Sequence, residues 1–462
     1  MDAMMDLQEA ARGAGGEARG PNARFAAVSS DTRTIKEGAL FVALRGERYD
    51  GHAYLAAART RGAAAAMVDR RAPAPAGAGD PALPLLLVDD TRLALGRLAA
   101  YWRSKFKLPL IAVAGSNGKT TVKEMIASIL ADHAGAGRAY ATPGNLNNDI
   151  GVPLTLLGLR PEHACAVVEL GMNHAGETAY LAAIARPTVA LVNNAQREHQ
   201  EFMHGVEDVA HEHGAVFAAL PADGVAVINA DDSYAGYWRG VSAPRRVLDF
   251  GIDLPGAVGG RYELREFGSD IVLRTPEGEA ALSLRAAGVH NVRNALAAAA
   301  AAAAAGVGLA AIARGLAAFD PVQGRLQKKA ATCGAVVLDD TYNANPDSAI
   351  AALEVLARAP GRKFLVLGDM GEVGANGAAF HAEIGRYARA AGIDRLFLLG
   401  ELCAHAAAAF GEGAAHYRGI DALLVALETC LNASVTVLVK GSRFMRMERV
   451  VQALTGAQAG GH

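Results

Sequence analysis

Apolar positions along this chain fall into a small set of rhythms. At Leu108 the run LPLIAVAG sets aliphatic residues side by side up to a glycine, the pattern of a strand buried on both faces in a parallel sheet. Val122, Met125, Ile126, Ile129 and Leu130 then recur at helical spacing, so a helix with one apolar face follows the strand directly. The alternation repeats through ACAVVEL (Ala164 to Leu170), TVALVNN (Thr188 to Asn194) and GVAVINADD (Gly224 to Asp232), which predicts βαβ units. Between Arg246 and Leu284 the period shortens to two, in YELRE, IVLRT and ALSL, and predicts an antiparallel meander appended to the parallel sheet. From about Asp320 the strands AVVLDD, KFLVLGD, RLFLLG and SVTVLVKGS alternate with helical segments and predict a second doubly wound unit. Before Leu108, short strands mix with turns in ARFAAVSSDTR and GALFVALRGERYDGH. An Ala-rich helical stretch follows, and then a Pro/Gly-rich run from Ala72 to Pro84 that reads as a surface loop. These shifts divide the chain into domains at 1–107, 108–319 and 320–462.

Length agrees with that division, since 462 residues suffice for two or three domains, each with its own core. Lys plus Arg (45) nearly balances Asp plus Glu (47), which leaves no overall basic field for nucleic acid or an anionic membrane. Any anionic ligand must be met locally. Cys165, Cys333, Cys403 and Cys430 stand far apart with no metal or disulfide spacing, so a reducing compartment, the cytoplasm, is expected. The N-terminus, with Asp2, Asp6 and Glu9, lacks the basic start and apolar core of a secretory signal. The nine alanines from Ala297 to Ala305 are only weakly hydrophobic, and Gly306, Gly308 and Arg314 break the run, so a buried helix is expected there and no membrane insertion.

The strongest chemical signal is AVAGSNGKTT. Gly115, Ser116, Asn117, Gly118, Lys119, Thr120 and Thr121 lie between a buried strand and an amphipathic helix, where backbone N–H groups and a helix N-terminus can meet phosphate. Lys119 adds a point charge and Thr120 can reach Mg²⁺. Val113 stands where the longer form of such loops has its first glycine, so this loop is shortened. No GxGxxG opens a helix elsewhere, and VLGDMGEVG has the wrong glycine spacing. Glu169 ends one strand and His199 follows another, at the sheet edge where open α/β folds bind ligands, and the pair could hold a metal beside the phosphates. His211 and His213 have no third ligand at metal spacing, and helical phase turns His213 toward the apolar stripe of Val206, Val209, Ala210, Val216, Phe217 and Leu220.

Along almost its whole length the sequence resembles the ATP-dependent Mur ligases. GSNGKTT is similar to the family's phosphate loop, TPGNLNNDIGVPLTLL (Thr142 to Leu157) to its substrate-side segment, and VVELGMNHAGE to the strand that supplies a Mg²⁺ carboxylate. HNVRNALAAAAAA resembles the adenine-binding segment, with Asn294, and Gly324-Arg325 resembles the hinge into the third domain. LDDTYNANPDS (Leu338 to Ser348) is close to the form found in the members that add a dipeptide. SDTRTIKEGALFVALRGERYDGH resembles the uridine-diphosphate-binding domain, with Thr32-Arg33 where Ser-Arg is usual.

The resemblance implies three α/β domains: a smaller mixed N-terminal domain, a central P-loop-type parallel-sheet domain with an antiparallel portion, and a C-terminal Rossmann-like doubly wound domain. It implies ATP and Mg²⁺ as cofactors, with UDP-N-acetylmuramoyl-tripeptide and D-alanyl-D-alanine joined, by a monomer, through an acyl phosphate in peptidoglycan precursor synthesis. Lys119, Glu169, His199 and Arg325 become the catalytic candidates. Nucleotide contacts are expected from residues 115–121, Asn294, Arg325, Asp340, Tyr342 and Asn343, and metal contacts from Thr120, Glu169, His199 and His213. Substrate contacts are expected from Asp31, Thr32, Arg33, Asp50, Gly51, His52, Thr142, Asn145, Asn147, Asn148 and Asn345. For the 50–52 turn a structural reading competes, with Gly51 serving backbone geometry and Asp50 a cap. One departure stands out: where the family commonly has a carbamylated lysine, HEHGAVF places His213, which is expected to touch a second Mg²⁺ directly or through water. Hinge motion near Pro321 to Arg325 is expected to bring Asp340, Tyr342, Asn343 and Asn345 onto the nucleotide. The alternatives are a sister ligase adding one amino acid, such as a folylpolyglutamate-type enzyme, a P-loop ATPase, and a nucleotide-binding module without catalysis.

Overall fold

In the computed structural model, which describes residues 3–71 and 83–457, the chain forms a mixed α/β molecule of several domains built on parallel sheets. Most of the Pro/Gly-rich run expected as a surface loop, 72–82, lies outside the described residues.

The central sheet is wholly parallel, in the order Arg246–Phe250, Val225–Asn229, Val189–Val192, Leu110–Ala114, Cys165–Glu169, Ala139–Ala141. Its middle strands are buried end to end, as their unbroken apolar runs require. The order of winding reverses at Leu110–Ala114, so the carboxyl ends of this strand and its two neighbours, Cys165–Glu169 and Val189–Val192, open a crevice at the switch point. The meander is present as Gly259–Arg265, Gly268–Thr275 and Gly278–Leu284. It starts later than the period-two pattern implies. Arg246–Phe250 pairs in parallel with Val225–Asn229, and its half-exposed alternation is that of an edge strand of the parallel sheet. The helix Val289–Ala304 is confined between these sheets, with Ala297 to Ala302 fully buried.

The C-terminal sheet runs Gln327–Ala330, Val336–Asp340, Val435–Lys440, Arg362–Gly368, Arg395–Leu399, Ala414–Tyr417, parallel except for its first strand. Gln327–Ala330 and Ala414–Tyr417 are short edge strands without a strong apolar signal, and the sequence reading passed over both. The N-terminal sheet orders Glu17–Arg19, Leu85–Val88, Ala65–Asp69, Ala39–Val42, Ala27–Ser29, with the first pair antiparallel. Among the described residues no helix is long and apolar enough to cross a membrane.

Candidate active site

The strand Leu110–Ala114 delivers the phosphate loop to the crevice, and the helix Lys119–Ala134 begins at once. Two glycines make the turn. Gly115 has φ +126° and Gly118 φ +82°, and a Cβ on Gly118 would lie 2.4 Å from Asn294 Oδ1. Asn193, Asn194 and Gln196, which follow the neighbouring strand, hold the loop from outside. Asn194 Oδ1 accepts from the Asn117 N–H at 2.8 Å, Asn193 Nδ2 donates to Asn117 O at 2.8 Å, and Ser116 Oγ accepts from the Gln196 N–H at 2.9 Å. The helix has no side-chain cap at Gly118, so its first N–H groups are left for an anion.

Charge converges beyond this turn. Thr120 Oγ1 donates to Glu169 Oε1 (3.1 Å), which also accepts from Asn147 Nδ2 (2.8 Å), while the other carboxylate oxygen, Oε2, is buried with no partner. Arg325 Nη2 donates to Thr120 Oγ1 at 2.8 Å, and its guanidinium lies 4.2 Å over the Tyr342 ring. Lys119 Nζ sits 3.0 Å from Ser116 O and 3.3 Å from Glu198 Oε2. Glu198 escaped the sequence reading. It is nearly buried, and its Oε1 is 2.6 Å from His213 Nε2. Burial alone would raise its pKa, but the Lys119 charge, the His213 hydrogen bond and the His213 and His199 charges outweigh that and hold it at about 2. His199 adopts φ +49°, a left-handed conformation uncommon outside glycine, with Nδ1 2.6 Å from Glu372 Oε2.

The third element of the site arrives from the C-terminal sheet. Asp340 accepts from the Leu326 N–H (3.1 Å) and from Lys440 Nζ (2.5 Å), and Lys440 also donates to Asn343 O. Asn345 caps the helix Pro346–Arg358, and its Nδ2 donates to Asn117 Oδ1 at 2.9 Å, tying this segment to the phosphate loop. Arg197, also missed from sequence, spans the same boundary, with its guanidinium on Asp347 (2.6 Å) and Glu383 (2.8 Å). Together these walls enclose a cavity of about 760 Å³.

Ser116 to Thr121, Asn147, Asn148, Glu169, His199, Asn294, Arg325, Asp340, Tyr342, Asn343 and Asn345 all line that cavity. Gly115 and Thr142 stand behind it, Thr142 accepting from the Glu169 N–H, and Asn145 is exposed on the loop before Asn147. His213 does not line it; Glu198, whose Oε1 the His213 ring meets, stands between that ring and the cavity. Asp31, Thr32, Arg33, Asp50, Gly51 and His52 lie away from the cavity, in the N-terminal unit. Arg33 binds Asp31, and Asp50 caps the turn at His52. A Cβ on Gly51 would come 2.7 Å from Leu44 O, so that glycine serves backbone packing.

Three family models match consecutive stretches: the Mur ligase family catalytic domain at 24–103, the Mur ligase middle domain at 113–302, and the Mur ligase glutamate ligase domain at 324–443. The UDP-N-acetylmuramoyl-tripeptide–D-alanyl-D-alanine ligase of Escherichia coli (strain K12) is 42% identical over 446 residues, 95% of this chain and 96% of that protein. The chain belongs to the Mur ligase family. Among solved Mur ligases, MurF from Acinetobacter baumannii superposes with a TM-score of 0.91 at 34% identity, covering 98% of this chain and all of that one. MurF from Thermotoga maritima, solved in complex with ADP, superposes with a TM-score of 0.79 at 25% identity, covering 93% and 97%.

Proposed function

We infer that this Mur ligase joins the terminal carboxylate of UDP-N-acetylmuramoyl-tripeptide to the amine of D-alanyl-D-alanine, with ATP cleaved to ADP and phosphate, in the cytoplasm. The observation that carries the reading is the meeting of the phosphate loop with the 338–348 segment across one cavity, through Asn117 and Asn345. Near-complete coverage of the E. coli ligase named above, the ADP complex of the T. maritima relative and four unpaired cysteines support it. We read the domains as 1–107, 108–319 and 320–462.

Amide formation from a carboxylate in water is uphill, so an oxygen must first become a leaving group. The substrate carboxylate attacks the γ-phosphorus of ATP, and ADP leaves. The dipeptide amine then attacks the acyl phosphate carbon and expels phosphate. No protein nucleophile is required. The protein's task is to bring two anions together and exclude water. Lys119 beside Ser116 and Arg325 on Thr120 neutralise phosphate charge, and the free N–H groups after Gly118 orient the phosphates. Thr120, Glu169 and His199 line the cavity together and suit Mg²⁺, because Glu169 Oε2 is a buried carboxylate oxygen without a partner. Bound there, the cation would offset the negative charge of the phosphates. The test is ADP release with the muramyl tripeptide, scored with D-alanyl-D-alanine against free D-alanine, L-amino acids and glutamate. Dependence on the dipeptide is expected; release without any acceptor, or with glutamate in its place, overturns the reading.

A further inference from the structure

A buried carboxylate beside a phosphate site repels the ligand unless a cation stands between them. Glu198 is such a group: it lines the cavity, yet only 6% of it is exposed. Its Oε1 is taken by His213 Nε2 at 2.6 Å, while Oε2 lies 3.3 Å from Lys119 Nζ and 3.7 Å from His199 Nε2. Lys119 carries one point charge on a flexible stem. Its single charge cannot offset both Glu198 and a nucleotide's phosphates. Once it turns to the phosphates, Oε2 is left anionic in a buried wall facing a polyanion. The His199 ring and the orphaned Glu169 Oε2 line the same cavity, and its carboxylate oxygens are donors suited to Mg²⁺ or Mn²⁺.

We propose that Glu198 Oε2, with His199, holds a second divalent cation once Lys119 has moved to the nucleotide, and that His213 is a positioning residue that fixes the carboxylate through Oε1. The proposal rests on the ligase reading of this cavity. It gives a role to the departure at residue 213. The negative charge is carried by a side chain of the protein itself, so no CO₂-derived group is needed.

The experiment is a count of bound Mn²⁺ by electron paramagnetic resonance on the full chain, with a non-hydrolysable ATP analogue and bicarbonate-free buffer. Two Mn²⁺ per chain are expected. Glu198→Gln should retain nucleotide and one Mn²⁺ and weaken the other at least tenfold, and His213→Gln should weaken it several-fold. A single Mn²⁺ in the unaltered chain, two with unchanged affinity in Glu198→Gln, or a second that appears only with added bicarbonate overturns the proposal. Should Glu198→Gln not fold, unchanged affinity for the second Mn²⁺ in His213→Gln has the same force. Amide formation by the unaltered chain, measured separately, distinguishes failure of the ligase reading from failure of the cation site.

Discussion

At Gly118 a single hydrogen decides whether the phosphate loop can form. Its φ of +82° strains any L side chain, and an added methyl would press within 2.4 Å of Asn294 Oδ1. Strain of this kind costs about 1–3 kcal/mol. Gly118→Ala is therefore expected to lower affinity for a nucleotide about tenfold to a hundredfold, read by titration calorimetry, while the melting temperature changes little. The glycine-lysine pattern made this loop legible, because spacing alone implies its geometry. Glu198 was not legible. A glutamate beside a loop histidine has the look of a solvated residue, and only folding brings Lys119 from the phosphate loop and His213 from the following helix onto it. Lys440 escaped for the same reason: it ends the apolar run VTVLVK, and its partners Asp340 and Asn343 come from another strand end.

Between elements, two polar contacts repay testing. Asp369, His381 and Cys403 are buried near one another with atoms in reach of a common ion, but their hydrogen bonds are already committed. Asp369 caps the helix Cys403–Phe410 by accepting from the Cys403 N–H, and His381 joins Gly377 O to the Met370 N–H. Burial pushes the His381 pKa below its ordinary 6.5 by penalising the charged ring, and a charged ring could no longer accept from the Met370 N–H. Its contribution is therefore complete above pH 6.5 and is lost as pH falls from there toward the lower folded-state value. His381→Leu should cost about 1–3 kcal/mol at pH 7.5, and its deficit should shrink at pH 5.5, by denaturant titration of both chains. The second contact is Arg197 on Asp347 and Glu383, which joins the phosphate-loop side of the cavity to the helices Pro346–Arg358 and Gly377–Ala390. At about 1–2 kcal/mol for partly buried, charge-assisted pairs, Arg197→Ala should shift the balance between closed and open forms by about five- to thirtyfold. A larger radius of gyration in solution scattering with nucleotide bound is the expected readout, and an unchanged one would remove Arg197 from this role. The inner strands of both doubly wound sheets were readable from their apolar runs, whereas the edge strands Ala139–Ala141, Gln327–Ala330 and Ala414–Tyr417 were not, and Arg246–Phe250 was drawn into the meander because an edge strand alternates as an antiparallel one does.

Over the whole molecule, the site is assembled from segments more than two hundred residues apart, and the pairing of Asn117 with Asn345 could not be read from either segment alone. The order of units was plain in the changing period of the sequence, but their mutual placement depends on such side-chain meetings. One wall of that assembly carries no chemistry. The buried methyl groups of Ala297 to Ala302 let the helix Val289–Ala304 lie close against the helix Lys119–Ala134 and the strands beneath it. Alanine surrenders almost no rotational freedom on burial and leaves no slack to absorb a bulkier neighbour. A saturation scan for function should thus find a silent-looking stretch that is among the least forgiving in the chain: Ala299→Leu would lever Asn294, at the head of the same rod, out of register with the loop it touches.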